Sequence, residues 1–66
     1  MKKVTIEVVG GKTETVNTNA NTVAELMSEC GLSSNYQATI NGDSVQHSEE
    51  INSYDYVIFT PAVKGA

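Results

Sequence analysis

Apolar and polar residues alternate over Val4-Thr5-Ile6-Glu7-Val8, and this two-residue period predicts a half-buried first strand with Val4, Ile6 and Val8 on one face. Gly10-Gly11 supplies the permissive backbone of a tight hairpin, and the β-branched residues between Lys12 and Thr18 suit an antiparallel return strand. Only Val16 is apolar in that return. It is therefore expected at a sheet edge, where Lys12, Glu14 and the threonines discourage further pairing. Thr22-Val23-Ala24-Glu25 then has capping-box spacing: the Thr22 hydroxyl accepts from the Glu25 amide, and the Glu25 carboxylate reaches back to the Thr22 amide. Val23, Leu26, Met27 and Cys30 recur at helical spacing on one face, and Gly31 stands where a left-handed cap ends a helix. Alternation returns in Tyr36-Gln37-Ala38-Thr39-Ile40, and Asn41-Gly42 is a strong turn signal before a short segment at Ser44-Val45-Gln46. His47 to Tyr54 reads as a loop with Ile51 tucked inward. Tyr56-Val57-Ile58-Phe59 is nearly continuous in apolar and aromatic residues, as a central strand covered on both faces would be.

Composition narrows the setting. A chain of 66 residues has room for one domain, and domains of this size bury only about 60% of the surface that the unfolded chain exposes. A hydrophobic fraction of 39% suits a small core, and the apolar runs are too short to span a bilayer. Thr5 and Glu7 interrupt any apolar run after Met1-Lys2-Lys3, so no signal peptide is expected and the reading is cytoplasmic, with no membrane association. Eight acidic residues against four basic ones give a net charge of −4 and leave no basic stripe, which disfavours nucleic acid as a partner. The polar return strand points to a monomer or a heterocomplex.

The side chains that carry chemistry are sparse. Cys30 is the only cysteine, which excludes an internal disulfide; its place on the apolar helix face predicts a small core residue. His47 with Glu49 and Glu50 reads as a solvated acidic loop rather than a metal site. Asp43 belongs to the turn chemistry of Asn41-Gly42. The rings of Tyr36, Tyr54 and Tyr56 are expected to cover core edges while their hydroxyls reach water. No cluster of nucleophile, base and oxyanion donors is evident, so the chain is not read as an enzyme.

The remaining signal lies in the ordered combination of segments. Thr22-Val23-Ala24-Glu25-Leu26 resembles the helix start of the ThiS/MoaD sulfur carriers, Ile40-Asn41-Gly42-Asp43 resembles their asparagine-glycine hairpin, and Asp55-Tyr56-Val57-Ile58-Phe59-Thr60-Pro61 is similar to their last strand and proline. Those carriers end in a Gly-Gly tail. Here the tail is Pro61-Ala62-Val63-Lys64-Gly65-Ala66, with Ala66 at the second glycine. The resemblance implies an α+β fold of the ubiquitin-like β-grasp type: a mixed sheet of four to five strands, one helix on one face, and the last strand inserted beside the first. It also implies a single domain over residues 1–66, of which 61–66 form a flexible C-terminal tail.

By the same resemblance, the chain binds no cofactor of its own. A partner activating enzyme would use ATP to adenylate the terminal carboxylate, which would then accept sulfur or pass to an amine. Gly65 and Ala66 would form the activation site, with Pro61, Val63 and Lys64 contacting the enzyme's channel. Small residues permit the close backbone approach that such a channel requires. The open face of the sheet is the usual docking surface of ubiquitin-like folds, which makes Tyr56 and Ile58 candidate partner contacts if they point away from the helix. The alternative reading is a non-catalytic β-grasp interaction module that has lost C-terminal activation, for example an accessory protein of a bacterial or mobile-element system.

Overall fold

The computed structural model describes residues 1–62. Strand β1 (Lys2–Val8) and strand β2 (Thr13–Thr18) form an antiparallel hairpin, followed by helix α1 (Val23–Cys30) and strands β3 (Tyr36–Ile40), β4 (Asp43–Val45) and β5 (Tyr56–Pro61). The strands make one sheet in the order β2-β1-β5-β3-β4. β5 lies parallel to β1 and antiparallel to β3, so the last strand occupies the centre of the sheet. This is the ubiquitin-like β-grasp arrangement.

Alternation sorts the residues by face. Val4, Ile6, Ala38, Val57 and Phe59 turn toward α1 and are almost fully buried with Val23, Leu26, Met27 and Ile51. Burial of apolar surface at roughly 25 cal/mol per Å2 is the main favourable contribution to such a core. Val8 and Val16 are only half-buried beside it. β2 is the edge strand that its composition predicts, and β3 has the predicted bounds.

Helix α1 begins and ends on its caps. The Thr22 side chain accepts from Glu25 N at 3.3 Å, and Gly31 is left-handed at φ 73°, the conformation that favours glycine. The reciprocal half of the capping box differs from expectation, because Glu25 Oε1 accepts from Asn21 N at 2.8 Å rather than from the Thr22 amide. The helix's next free donors go to the loop after β4. Val23 N donates to Glu49 O at 3.0 Å and Ala24 N to His47 O at 2.8 Å. Satisfying these donors fixes the 47–51 loop against the helix start and seats Ile51 in the core.

Four further expectations are corrected. Cys30 is exposed, not a core residue. It shares a helix face with Val23, but it closes the last turn beside β2, whose inward positions Glu14 and Val16 do not cover it. Tyr54 is 83% exposed and covers no core edge, because its left-handed backbone, φ 70°, swings the ring outward. Tyr36 packs against the core as expected, whereas the Tyr56 hydroxyl is held by Glu7. Pro61, assigned from sequence to the tail, is the final residue of β5.

Candidate functional site

The route by which β5 leaves the sheet follows from its hydrogen-bond parity. Asn41 N donates to Tyr56 O at 2.8 Å and Ala62 N to Asn35 O at 3.1 Å, so the even residues of β5 bond toward β3. The odd residues face β1: Asp55 O accepts from Thr5 N at 3.0 Å and Phe59 O from Val9 N at 2.9 Å. Pro61 is the next odd position, and its missing N–H is the donor that would carry the ladder on to Val9 O, so the proline ends the β1–β5 pairing. The backbone is tied as far as Ala62. Val63, Lys64, Gly65 and Ala66, four of the proposed tail and activation residues, lie outside the described residues.

Tyr56 and Ile58 occupy the sheet face opposite α1, because Val57 and Phe59 between and beside them are buried on the helix side. Ile58 is half-buried between Glu7 of β1 and Thr39 of β3, its register partners. Tyr56 lies beside Thr5, is 39% exposed, and donates its phenol proton to Glu7 Oε1 at 2.6 Å. That bond, then partial desolvation and the Glu7 charge, push the phenol pKa up. Thr5 and Thr15 link their hydroxyls at 3.1 Å on the same face. The result is an apolar spot in a threonine-rich sheet surface.

Comparison with known proteins agrees with this architecture. A sequence family described as a G5-linked-Ubiquitin-like domain matches residues 4–41, more than half of the chain. The chain belongs to that family. The ubiquitin-like domain is also similar to the crystal structure of SAMP1 from Haloferax volcanii, with a TM-score of 0.70 and 16% identity, covering 97% of this chain and 99% of that one. A second crystal structure, of H. volcanii small archaeal modifier protein 1, gives a TM-score of 0.71 and 14% identity over 96% of this chain and 100% of that one. At such identities the likeness concerns the fold. No curated protein matches the sequence.

The ubiquitin-like domain holds its outer face in place with a clasp that the sequence pattern does not display. Asn41 is left-handed at φ 53° in the β3–β4 turn, and its side chain turns back onto the start of β5. Its Nδ2 donates to Asp55 Oδ1 at 3.2 Å, and its Oδ1 accepts from Tyr56 N at 3.0 Å. Asp55 is buried, and its Oδ2 also accepts from Asn52 N at 2.8 Å. Asn-Gly is legible as a turn, but the clasp joins residues 14 and 15 positions apart, so only the folded chain reveals it. His47 is likewise structural here: its Nε2 meets Tyr36 O at 2.7 Å. Among the described residues, no three His, Cys, Asp or Glu side chains are placed to hold a metal ion, and no helix is long and apolar enough to cross a membrane.

Proposed function

We propose that this chain is a small ubiquitin-like carrier or modifier whose terminal carboxylate is activated by a partner enzyme. The observation that carries the reading is the path of β5: a central strand whose backbone is bonded as far as Ala62, a few residues before the proposed reacting carboxylate. Full-length likeness to a protein named small archaeal modifier protein 1 supports it. In the reaction, the Ala66 carboxylate attacks ATP bound by the partner and displaces pyrophosphate. Attack on the carbonyl of the resulting acyl adenylate then expels AMP: hydrosulfide gives a thiocarboxylate, and an amine gives an amide. Gly65 supplies the bend, and Pro61, Val63 and Lys64 meet the channel wall. Tyr56 and Ile58 form the docking surface that brings the enzyme to the tail. The domain itself supplies no catalytic group.

A second reading, an interaction module without activation, is favoured by one feature: Ala66 stands where the resemblance calls for glycine, and its methyl group narrows backbone freedom in a confined channel. Accurate mass of the C-terminal peptide, isolated from the native host under conditions that preserve acyl sulfur, separates the two. Sulfur on Ala66, or Ala66 in an amide to another protein, is the expected outcome. Peptide-level localisation is needed because oxidation of Met1 or Met27 adds nearly the mass of an oxygen-to-sulfur exchange. An exclusively free carboxylate that persists after incubation with ATP and host extract would leave the module reading in its place. Charge substitutions at both Tyr56 and Ile58 are expected to weaken binding to the activating partner, and unchanged binding would remove them from the docking surface.

A further inference from the structure

On the helix side of the sheet, α1 and β2 meet at one point, where Thr18 Oγ1 donates to Glu29 Oε1 at 2.5 Å and leaves Oε2 without that bond, and they stay apart along the rest of β2. A groove of about 310 Å3 lies between them, with Ile6, Val8, Val16, Leu26 and Leu32 on its apolar walls. Glu14 of β2 and Glu29 of α1 also line it, and Lys12 is the single cation there. Burial first, then the charges of Glu29 and Glu14, push the Cys30 thiol pKa up, so both carboxylates act on the space inside the groove.

One wall of this groove is the open edge of the sheet. Thr5 N and Val9 N bond toward β5, so the even residues of β1 bond toward β2. In the β1–β2 register, Val4 with Val16 and Ile6 with Glu14 are therefore the bonded pairs. The N–H and C=O groups of Thr13, Thr15 and Asn17 are left facing outward, and among the described residues no strand pairs with them. No proline or bulge protects this edge.

We propose that the β2 edge and the adjoining groove together take an extended peptide segment of a partner protein, added as a further strand. Its backbone bonds to Thr13, Thr15 and Asn17. Alternate side chains then point into the groove, as Glu14 and Val16 do, with apolar residues on the floor and a lysine or arginine against Glu14 and Glu29. A second copy of the chain fits poorly, because its own β2 would bring another Glu14 and a single valine into an acidic groove. Charges at the edge thus select the partner strand rather than forbid one. This site is on the opposite side of the sheet from Tyr56 and Ile58 and does not depend on activation of the tail.

Cys30 lines the groove and is the only thiol, so the unmodified chain carries its own reporter. The probe is the synthetic peptide acetyl-Thr-Val-Thr-Val-Thr-Lys-Thr-amide. Saturating peptide is expected to slow Cys30 modification by an aromatic disulfide by about fivefold or more, with amide shifts concentrated in residues 13–17 and the end of α1. Glu14→Lys, at an exposed position, is expected to weaken the peptide about tenfold, whereas the same kind of charge change at exposed Asp43, on β4 at the other edge of the sheet, Asp43→Lys, leaves it unchanged. The same peptide with its two central threonines replaced by proline is expected not to protect. Absence of protection at millimolar peptide, equal protection by the proline peptide, or protection that follows protein rather than peptide concentration would each overturn the proposal.

Discussion

The phenol of Tyr56 and the carboxylate of Glu7 come from strands at opposite ends of the chain, and their 2.6 Å bond is charge-assisted. It holds the phenol proton, so the folded pKa lies above the ordinary tyrosine value near 10.0. A raised folded pKa means that the contribution of this bond to stability is present below the unfolded value and is lost as pH rises through the folded one, in the alkaline range. Ring-carbon NMR titration is expected to show Tyr56 ionising above the ordinary tyrosine value, and Glu7→Gln should bring the Tyr56 midpoint down. Asn41 is the second decisive residue. Asn41→Ala is expected to destabilise by about 1–3 kcal/mol in urea unfolding, because it leaves buried Asp55 short of a donor and forces alanine into a left-handed turn. Asn41→Gly should recover the part due to backbone strain and none of the part due to the clasp.

At the scale of elements, α1 and β5 are limited in different ways. The N-cap of α1 rests on one hydroxyl, so Thr22→Ala is expected to lower stability by about 1 kcal/mol in the same unfolding measurement. Pro61→Ala restores a donor that faces Val9 O, and the new amide is expected to be protected from hydrogen exchange. Rapid exchange of that amide would mean that the ladder stops at Phe59 for another reason. Helix α1, strand β3 and the Asn41-Gly42 turn were legible because their signals are local: cap, period and turn chemistry act within a few residues. Cys30 was misread for a complementary reason. Helical spacing identifies a face, but the depth of each residue on that face depends on how far the packed sheet extends beneath it.

For the whole molecule, the core is small enough that single residues matter. Phe59 is fully buried at the centre of the sheet, against both β1 and β3. Phe59→Ala is expected to remove about 3–5 kcal/mol, comparable to the entire stability of a domain of this size, and circular-dichroism melting should show a largely unfolded variant at physiological temperature. The same central strand links the core to the proposed chemistry. Val57 and Phe59 anchor β5 from one face, Tyr56 and Ile58 present the other, and the bond from Ala62 to Asn35 extends its order toward the tail. Docking and activation are thus proposed to share one strand, whereas the peptide groove uses β2 and α1.

By itself the sequence determined the strand, strand, helix, strand, strand, strand order, the inward residues of the strands, those of the helix apart from Cys30, and the polar character of β2. Each of these follows from period, capping or composition over short stretches. Only the tertiary structure decided that Asn41 clasps Asp55, that Glu7 holds Tyr56, that Pro61 ends the pairing of β5 with β1, and that Cys30 lines a groove. These features join residues distant in the chain. Their partners are chosen by sheet register and by where each element ends, and no local pattern encodes either.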